Sequence, residues 1–233
     1  QKDLSSQRGI LKNNLLEDIR NSFAGERKKN CARRFRLPFD YDKFCELLIA
    51  EGTLLLECQH QPKMFVIDQN NEPVIRQLYF YSILSDEFCG DLQKGILLQG
   101  KIGCGKSLLL ESYTELVCRF IRKSGIFSPL TLFVRSTELY NSIIEQTNRP
   151  YLLRPLAIDE LGRESKTSMI FGNLTRPLSE LMHIRGDNGA LTHGTTNFSL
   201  DTLSSDEFYG KMVGDRLRSM FNIIMLKGDS QRG

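Results

Sequence analysis

The residues with the plainest capacity for chemistry form one run, Gly100-Lys101-Ile102-Gly103-Cys104-Gly105-Lys106-Ser107. The glycines let a backbone approach a polyphosphate closely, and successive N–H groups followed by a helix start form a concave anion site. Lys106 is placed to reach β- and γ-phosphates, and the Ser107 hydroxyl to ligate Mg²⁺. The expected contacts are Gly100, Ile102, Gly103, Cys104, Gly105, Lys106, Ser107 and Leu108. A second run, Leu156-Ala157-Ile158-Asp159-Glu160, is apolar and ends in two carboxylates 52 residues after Ser107. Behind a complete phosphate loop, Asp159 is expected to hold Mg²⁺ and Glu160 to polarise an attacking water. A third, ending Thr195-Thr196-Asn197, offers an amide that would orient that water. The chemistry is binding and hydrolysis of a nucleoside triphosphate, with ATP and Mg²⁺ as the expected cofactors.

The elements that must position these residues are legible as alternating strands and helices. Gly95–Gln99 reads as a buried strand entering the loop, and a helix leaves it to about Lys123, stopped by Gly125. Leu130–Arg135 is rich in β-branched and aromatic residues and reads as a second strand. Ser136-Thr137-Glu138 reads as the cap of a short helix reaching about Gln146. Further helices are expected at Ile170–Ile184 and Tyr209–Met220, with strands at 190–197 and Phe221–Leu226. The alternation implies a three-layer α/β domain on a parallel sheet. Before it, helical spacing marks Ile10–Phe23, Tyr41–Leu56 and Glu72–Leu84, and contact with a nucleotide base is expected somewhere in residues 65–81. His193 reads as a packed strand residue, since no second His or Cys stands at metal spacing.

Composition sets the limits. The chain has 233 residues, 40% of them hydrophobic and 25% charged, as in an ordinary globular protein, and its net charge of +3 is too small to mark a nucleic-acid binder. That figure hides an asymmetry: residues 8–36 carry nine Lys/Arg against three Asp/Glu, and residues 37–94 carry four against ten. The basic cluster Arg27-Lys28-Lys29 and Arg33-Arg34-Phe35-Arg36 is a candidate surface for nucleic acid or an acidic protein, or a solvated helix end. Six cysteines without a CxxC pair suggest a reducing, cytoplasmic setting. No apolar run is long enough to span a membrane, and the first residues lack the build of a signal peptide.

Five motifs in order resemble the DnaC/IstB-type AAA+ ATPases, a family of replicative helicase loaders and transposition helpers. They are the loop at 100–107, Leu-Ala-Ile-Asp-Glu-Leu-Gly at 156–162, Thr-His-Gly-Thr-Thr-Asn at 192–197, Tyr-Gly-Lys-Met-Val-Gly-Asp-Arg-Leu at 209–217, and Gly-Asp-Ser-Gln-Arg at 228–232. The resemblance covers residues 65–233. Asp-Glu-Leu-Gly-Arg-Glu, Phe171-Gly172-Asn173 and Met220-Phe221-Asn222 are similar to DnaC-like proteins of Bacteroidetes and their mobile elements. The resemblance implies a five-stranded AAA+ sheet, with Asn197 as sensor 1, Arg216 as an arginine finger acting on a neighbouring subunit's ATP, and Arg232 as the sensor 2 arginine. It implies self-association, a replicative helicase as partner or, in the alternative, a transposase, and residues 1–64 as a helical region for partner or DNA contact. Met212 stands where helicase loaders commonly have a further arginine. Ser136–Leu153 has room for one helix and a turn, where loaders carry an extra helical insertion lining the nucleic-acid channel. A nucleotide-switched adaptor that never hydrolyses has no need of Glu160, Asn197, Arg216 or Arg232, and a GTPase would need an Asn-Lys-x-Asp motif that the chain lacks.

Overall fold

A computed structural model describes residues 36–228 other than 127, 146, 166, 171 and 172, with the side chains of 168–175 also outside the description. The chain divides into units Gln1–Phe35 and Arg36–Gly233, and all described residues belong to the second. The helix expected at Ile10–Phe23, most of the basic cluster and Arg232 therefore lie outside the described residues.

Among the described residues, two helices precede the sheet. α1 (Tyr41–Cys58) begins at Asp40, whose carboxylate accepts the Lys43 N–H at 2.8 Å, satisfying one of the donors a helix start leaves free. α2 (Glu72–Ser82) carries Pro73 in its first turn, where a missing N–H costs nothing. The sheet strands are β1 (Gly95–Gln99), β2 (Leu132–Arg135), β3 (Leu156–Leu161), β6 (Thr192–Thr196) and β7 (Phe221–Met225), all parallel, in the order β2-β3-β6-β1-β7. The expected parallel five-stranded α/β architecture is the observed one.

Around the sheet run α3 (Lys106–Ser124), α4 (Ser136–Ile144), α5 (Pro177–Asp187), α6 (Leu200–Leu203) and α7 (Lys211–Met220). Successive side chains of a strand point to opposite faces, and the core divides accordingly. Ile96 and Leu98 join α1, α2 and α3 on one face, while Leu97 joins α5, α6 and α7 on the other. All three are fully buried, so truncating one to Ala costs about 2–5 kcal/mol. α1 is bound to α3 by a fork–fork pair between Arg119 and the buried Glu51. Asn222, at the sheet's edge, accepts the Asp91 N–H at 2.8 Å and donates to Asp91 O and Gly95 O, fastening the approach to β1 onto β7.

Two sequence readings are corrected. The expected helix from Ile170 is an antiparallel strand pair, β4 (Ser168–Ile170) and β5 (Asn173–Thr175), and helix starts only at Pro177. Proline fixes the φ of a first helical turn and disfavours helix in the residue before it. Ser136 does not cap α4: its hydroxyl donates to Glu160 O at 2.9 Å, and Arg135 occupies the cap position without a side-chain bond.

Candidate nucleotide site

The chain passes from β1 into the glycine loop, which needs backbone shapes that L side chains resist. Gly103 and Gly105 have φ of 85° and 90°, and Gly105 caps α3 in the left-handed region. Gly100 N–H donates to Thr196 O at 3.3 Å, joining the start of the loop to the end of β6. Lys106 is buried, and its ammonium donates to Gly100 O at 2.9 Å and Lys101 O at 2.6 Å, with Cys104 Sγ at 3.7 Å. The loop thus holds a cation at its centre on neutral carbonyls.

A cleft of about 1020 Å³ opens beside this loop. In open parallel sheets ligands bind beyond the carboxyl ends of the strands, and the cleft lies there. Ile102, Gly103, Gly105, Lys106, Ser107 and Leu108 line it, as do Asp159 and Glu160 from β3 and Asn197 from the turn after β6. Gly100 and Cys104 are not in the lining: the first supplies an acceptor to Lys106, and the second is buried with Sγ 3.8 Å from Leu226 O.

Asp159 is buried and accepts a 2.6 Å hydrogen bond from Thr195 Oγ1. Glu160 has a φ of 58°, unusual for a residue with a side chain, and lies where the β3–β6 register shifts between Ile158 and Leu161. Its carboxylate forms an ion pair with Arg163, which also lines the cleft. Glu111, one turn along α3 from Ser107, faces the same space, and burial followed by the nearby Asp159 charge raises its carboxyl above the ordinary range.

Gln59, Gln61, Lys63, Met64, Phe65, Val66 and Asp68, from the segment between α1 and α2, also line the cleft. Of the stretch expected to meet a base, Phe65, Val66 and Asp68 therefore line the cleft and α2 does not. Sequence reasoning missed Lys63, Glu111, Arg135 and Arg163; only Arg163 had a signal, in its place just after the acidic strand end. Arg216 is absent from the lining. It lies on α7 with Nη2 2.5 Å from Asp187 Oδ1 at the end of α5. His193 is buried, and its Nδ1 accepts the Ile96 N–H at 3.1 Å, joining β6 to β1.

No family model and no curated protein sequence matches the chain. Solved structures do. It is similar to a putative primosome component from Streptococcus pyogenes serotype M3, with a TM-score of 0.52 and 18% identity over 87% of this chain and 97% of that one. It is similar to DnaI, with a TM-score of 0.52 and 21% identity over 88% of this chain and all of the other. The chain shares the fold of these two proteins, here a five-stranded parallel sheet flanked by helices with the glycine loop between β1 and α3. A third similar structure is the DnaC helicase loader, at a TM-score of 0.48 and 20% identity over 70% of this chain and 93% of that one. Within this core, the glycine loop, the acidic end of β3 and the end of β6 converge on one cleft. No helix among the described residues is long and apolar enough to cross a membrane.

Proposed function

We propose that this AAA+ protein binds ATP·Mg²⁺ in the cleft, assembles with copies of itself in the cytoplasm, hydrolyses ATP slowly at subunit junctions, and loads or remodels a replicative DNA helicase. The observation that carries the reading is the convergence of Lys106, Ser107, Asp159, Glu160 and Asn197 on a single cleft. The residues fit the cofactor: a buried ammonium already held by loop carbonyls, a hydroxyl beside it, and a buried carboxylate with its rotamer fixed. Bound ATP·Mg²⁺ would bring the transferable phosphoryl group and a cation that neutralises its charge.

The rest falls to the chain's own groups. Lys106 would exchange its carbonyl partners for phosphate oxygens, and the loop N–H groups would add their dipoles. Ser107 and Asp159 would hold the cation. Glu160 accepts a proton from water once its pairing with Arg163 is released, and Asn197 orients that water. Arg216 does not line its own cleft and is half-exposed on α7, where a group acting on a neighbouring subunit could stand. Arg232, beyond the described residues, is proposed to contact the γ-phosphate of its own subunit. Residues 1–64 are proposed to contact the helicase, with DNA as a further partner of their basic cluster.

The test is ATP turnover against protein concentration, with and without a replicative helicase and single-stranded DNA, alongside ATP binding. The reading expects binding at all concentrations, specific activity that rises with concentration, and capture of the helicase by the ATP-bound protein. Binding without turnover under every condition overturns hydrolysis and leaves an ATP-switched adaptor. Capture of a transposase in place of the helicase makes the protein a transposition helper.

A further inference from the structure

Neighbouring side chains on a regular strand point to opposite faces of the sheet. Asp159 and Glu160 are neighbours, yet both line the same cleft. The backbone resolves this: β3 loses register with β6 between Ile158 and Leu161, and Glu160 adopts a φ of 58°. A bulge re-aims a side chain, but a left-handed glutamate costs on the order of 1–3 kcal/mol and persists only where its surroundings impose it.

Two hydroxyls impose it. The Glu160 N–H donates to Thr195 Oγ1 at 2.8 Å, and the Glu160 C=O accepts from Ser136 Oγ at 2.9 Å. Thr195 belongs to β6 and Ser136 directly follows β2, so the clamp closes from both flanking strands. Both residues are buried, at 0% and 1% exposure, which removes water as a competitor. Thr195 does more. A hydroxyl has a single proton, and here it goes to Asp159 Oδ1 at 2.6 Å while the oxygen receives the Glu160 N–H. One side chain therefore fixes the rotamer of Asp159 and the peptide of Glu160 together.

We propose that Thr195 and Ser136 are positioning residues: they hold the bulge that turns Glu160 into the cleft beside Asp159, and Thr195 couples Asp159's cation-holding geometry to Glu160's proton-accepting geometry. This rests on the reading of Glu160 and Asp159 given under the proposed function. The division of labour follows from the bonds. Losing Thr195 disturbs both carboxylates, whereas losing Ser136 disturbs Glu160 alone.

The test compares Thr195→Val, Thr195→Ser and Ser136→Ala with wild type for kcat, KM for ATP, Mg²⁺ dependence of ATP binding, and melting temperature. Outer-shell partners of this kind are worth about 10- to 100-fold in activity or metal affinity. Thr195→Val is expected to lose that much in kcat and to need more Mg²⁺ for tight ATP binding, with ATP affinity in EDTA unchanged. Thr195→Ser restores both. Ser136→Ala lowers kcat and leaves KM and the Mg²⁺ dependence at wild-type values, and it carries the test if Thr195→Val does not fold. Wild-type kcat in Ser136→Ala and Thr195→Val overturns the proposal. So does a Thr195→Ser variant as impaired as Thr195→Val. A Glu160→Gln control separates the two readings: if it turns over ATP normally, Glu160 is not the base. The clamp then stands or falls on whether Thr195→Val, and not Thr195→Ser, weakens the Mg²⁺-dependent binding.

Discussion

Arg216 on α7 and Asp187 at the end of α5 form an exposed ion pair, Nη2 to Oδ1 at 2.5 Å, with both side chains in partial contact with solvent. Pairs of this kind contribute about 0.2–1 kcal/mol to stability. Arg216→Ala should therefore melt close to wild type and bind ATP normally. If the arginine acts on a neighbour's phosphates, turnover should nevertheless fall by about 10³-fold or more. Mixing the variant with wild type in rising ratio, and following specific activity, checks whether the missing group is supplied between subunits.

Lys106 is held by two carbonyls of its own loop. Replacing it by Met removes the charge without emptying the space. Charge-assisted bonds contribute about 1.5–3 kcal/mol each, so losing one to phosphate should weaken ATP binding by at least about 10-fold. Titration calorimetry reads this directly. An unchanged affinity would mean that the ammonium never leaves its carbonyl partners.

Glu111 provides a pH test. Its carboxyl is raised above the ordinary range, first by burial and then by the charge of Asp159. A group that binds its proton more tightly when folded stabilises the fold most in acid, and that contribution is lost as pH rises through the raised value. Glu111→Gln should remove the dependence. The melting temperature of the variant minus that of wild type should grow as pH is raised from about 4 to about 7.

Arg185 is fully buried in α5 and carries no function in the proposed reaction. It donates to Thr192 Oγ1 at 3.0 Å, to Arg154 O at 3.0 Å, to Leu191 O at 2.7 Å and to Tyr151 O. Burial pulls its pKa down to about 10, which still leaves it charged at neutral pH. Arg185→Met would leave at least the Tyr151 and Arg154 carbonyls without their donor, at about 1–3 kcal/mol each. A loss above about 2 kcal/mol in urea denaturation is expected, and Arg185→Lys should recover little of it, because an ammonium cannot reproduce the fork.

How far the sequence could be read depended on how local the determinants were. The strand–loop–helix at 95–124 was legible because glycine spacing, an apolar run and helix periodicity all fall within thirty residues. The strand ends at Asp159 and Asn197 could be placed for the same reason. The position of Ser136 could not: its type and its place before Glu138 mark a helix cap, and only the arrival of β3 alongside gives its hydroxyl a different acceptor. The left-handed Glu160 was invisible, since nothing in Ile-Asp-Glu-Leu announces a bulge that depends on Thr195, thirty-five residues away. The strand pair at 168–175 was lost to an apolar pattern that fits a helix as well, although Pro177 marked where the helix begins. Lys63 and Met64 had no signature, because they come to the cleft by the packing of α1 on α3.

The placing of β1 in the sheet has a consequence for how the protein is made. β1 is hydrogen-bonded on one side to β6 and on the other to β7, and Leu226 N–H still donates to Gln99 O at 2.8 Å just before the loop begins. Synthesis delivers β1 (from Gly95) well before its neighbours β6 (from Thr192) and β7 (from Phe221). A nascent chain therefore exposes Ile-Leu-Leu with both edges open until β6 has emerged, and with one edge open until β7 follows. Long-range parallel pairing of this sort is slow and leaves sticky intermediates. A ligand of the glycine loop is not expected to guide the early steps, because the loop's hydrogen bonds to β6 and to Leu226 form only when the sheet closes around it. Chaperone demand should accordingly be high, and ATP should stabilise the finished protein without accelerating its folding.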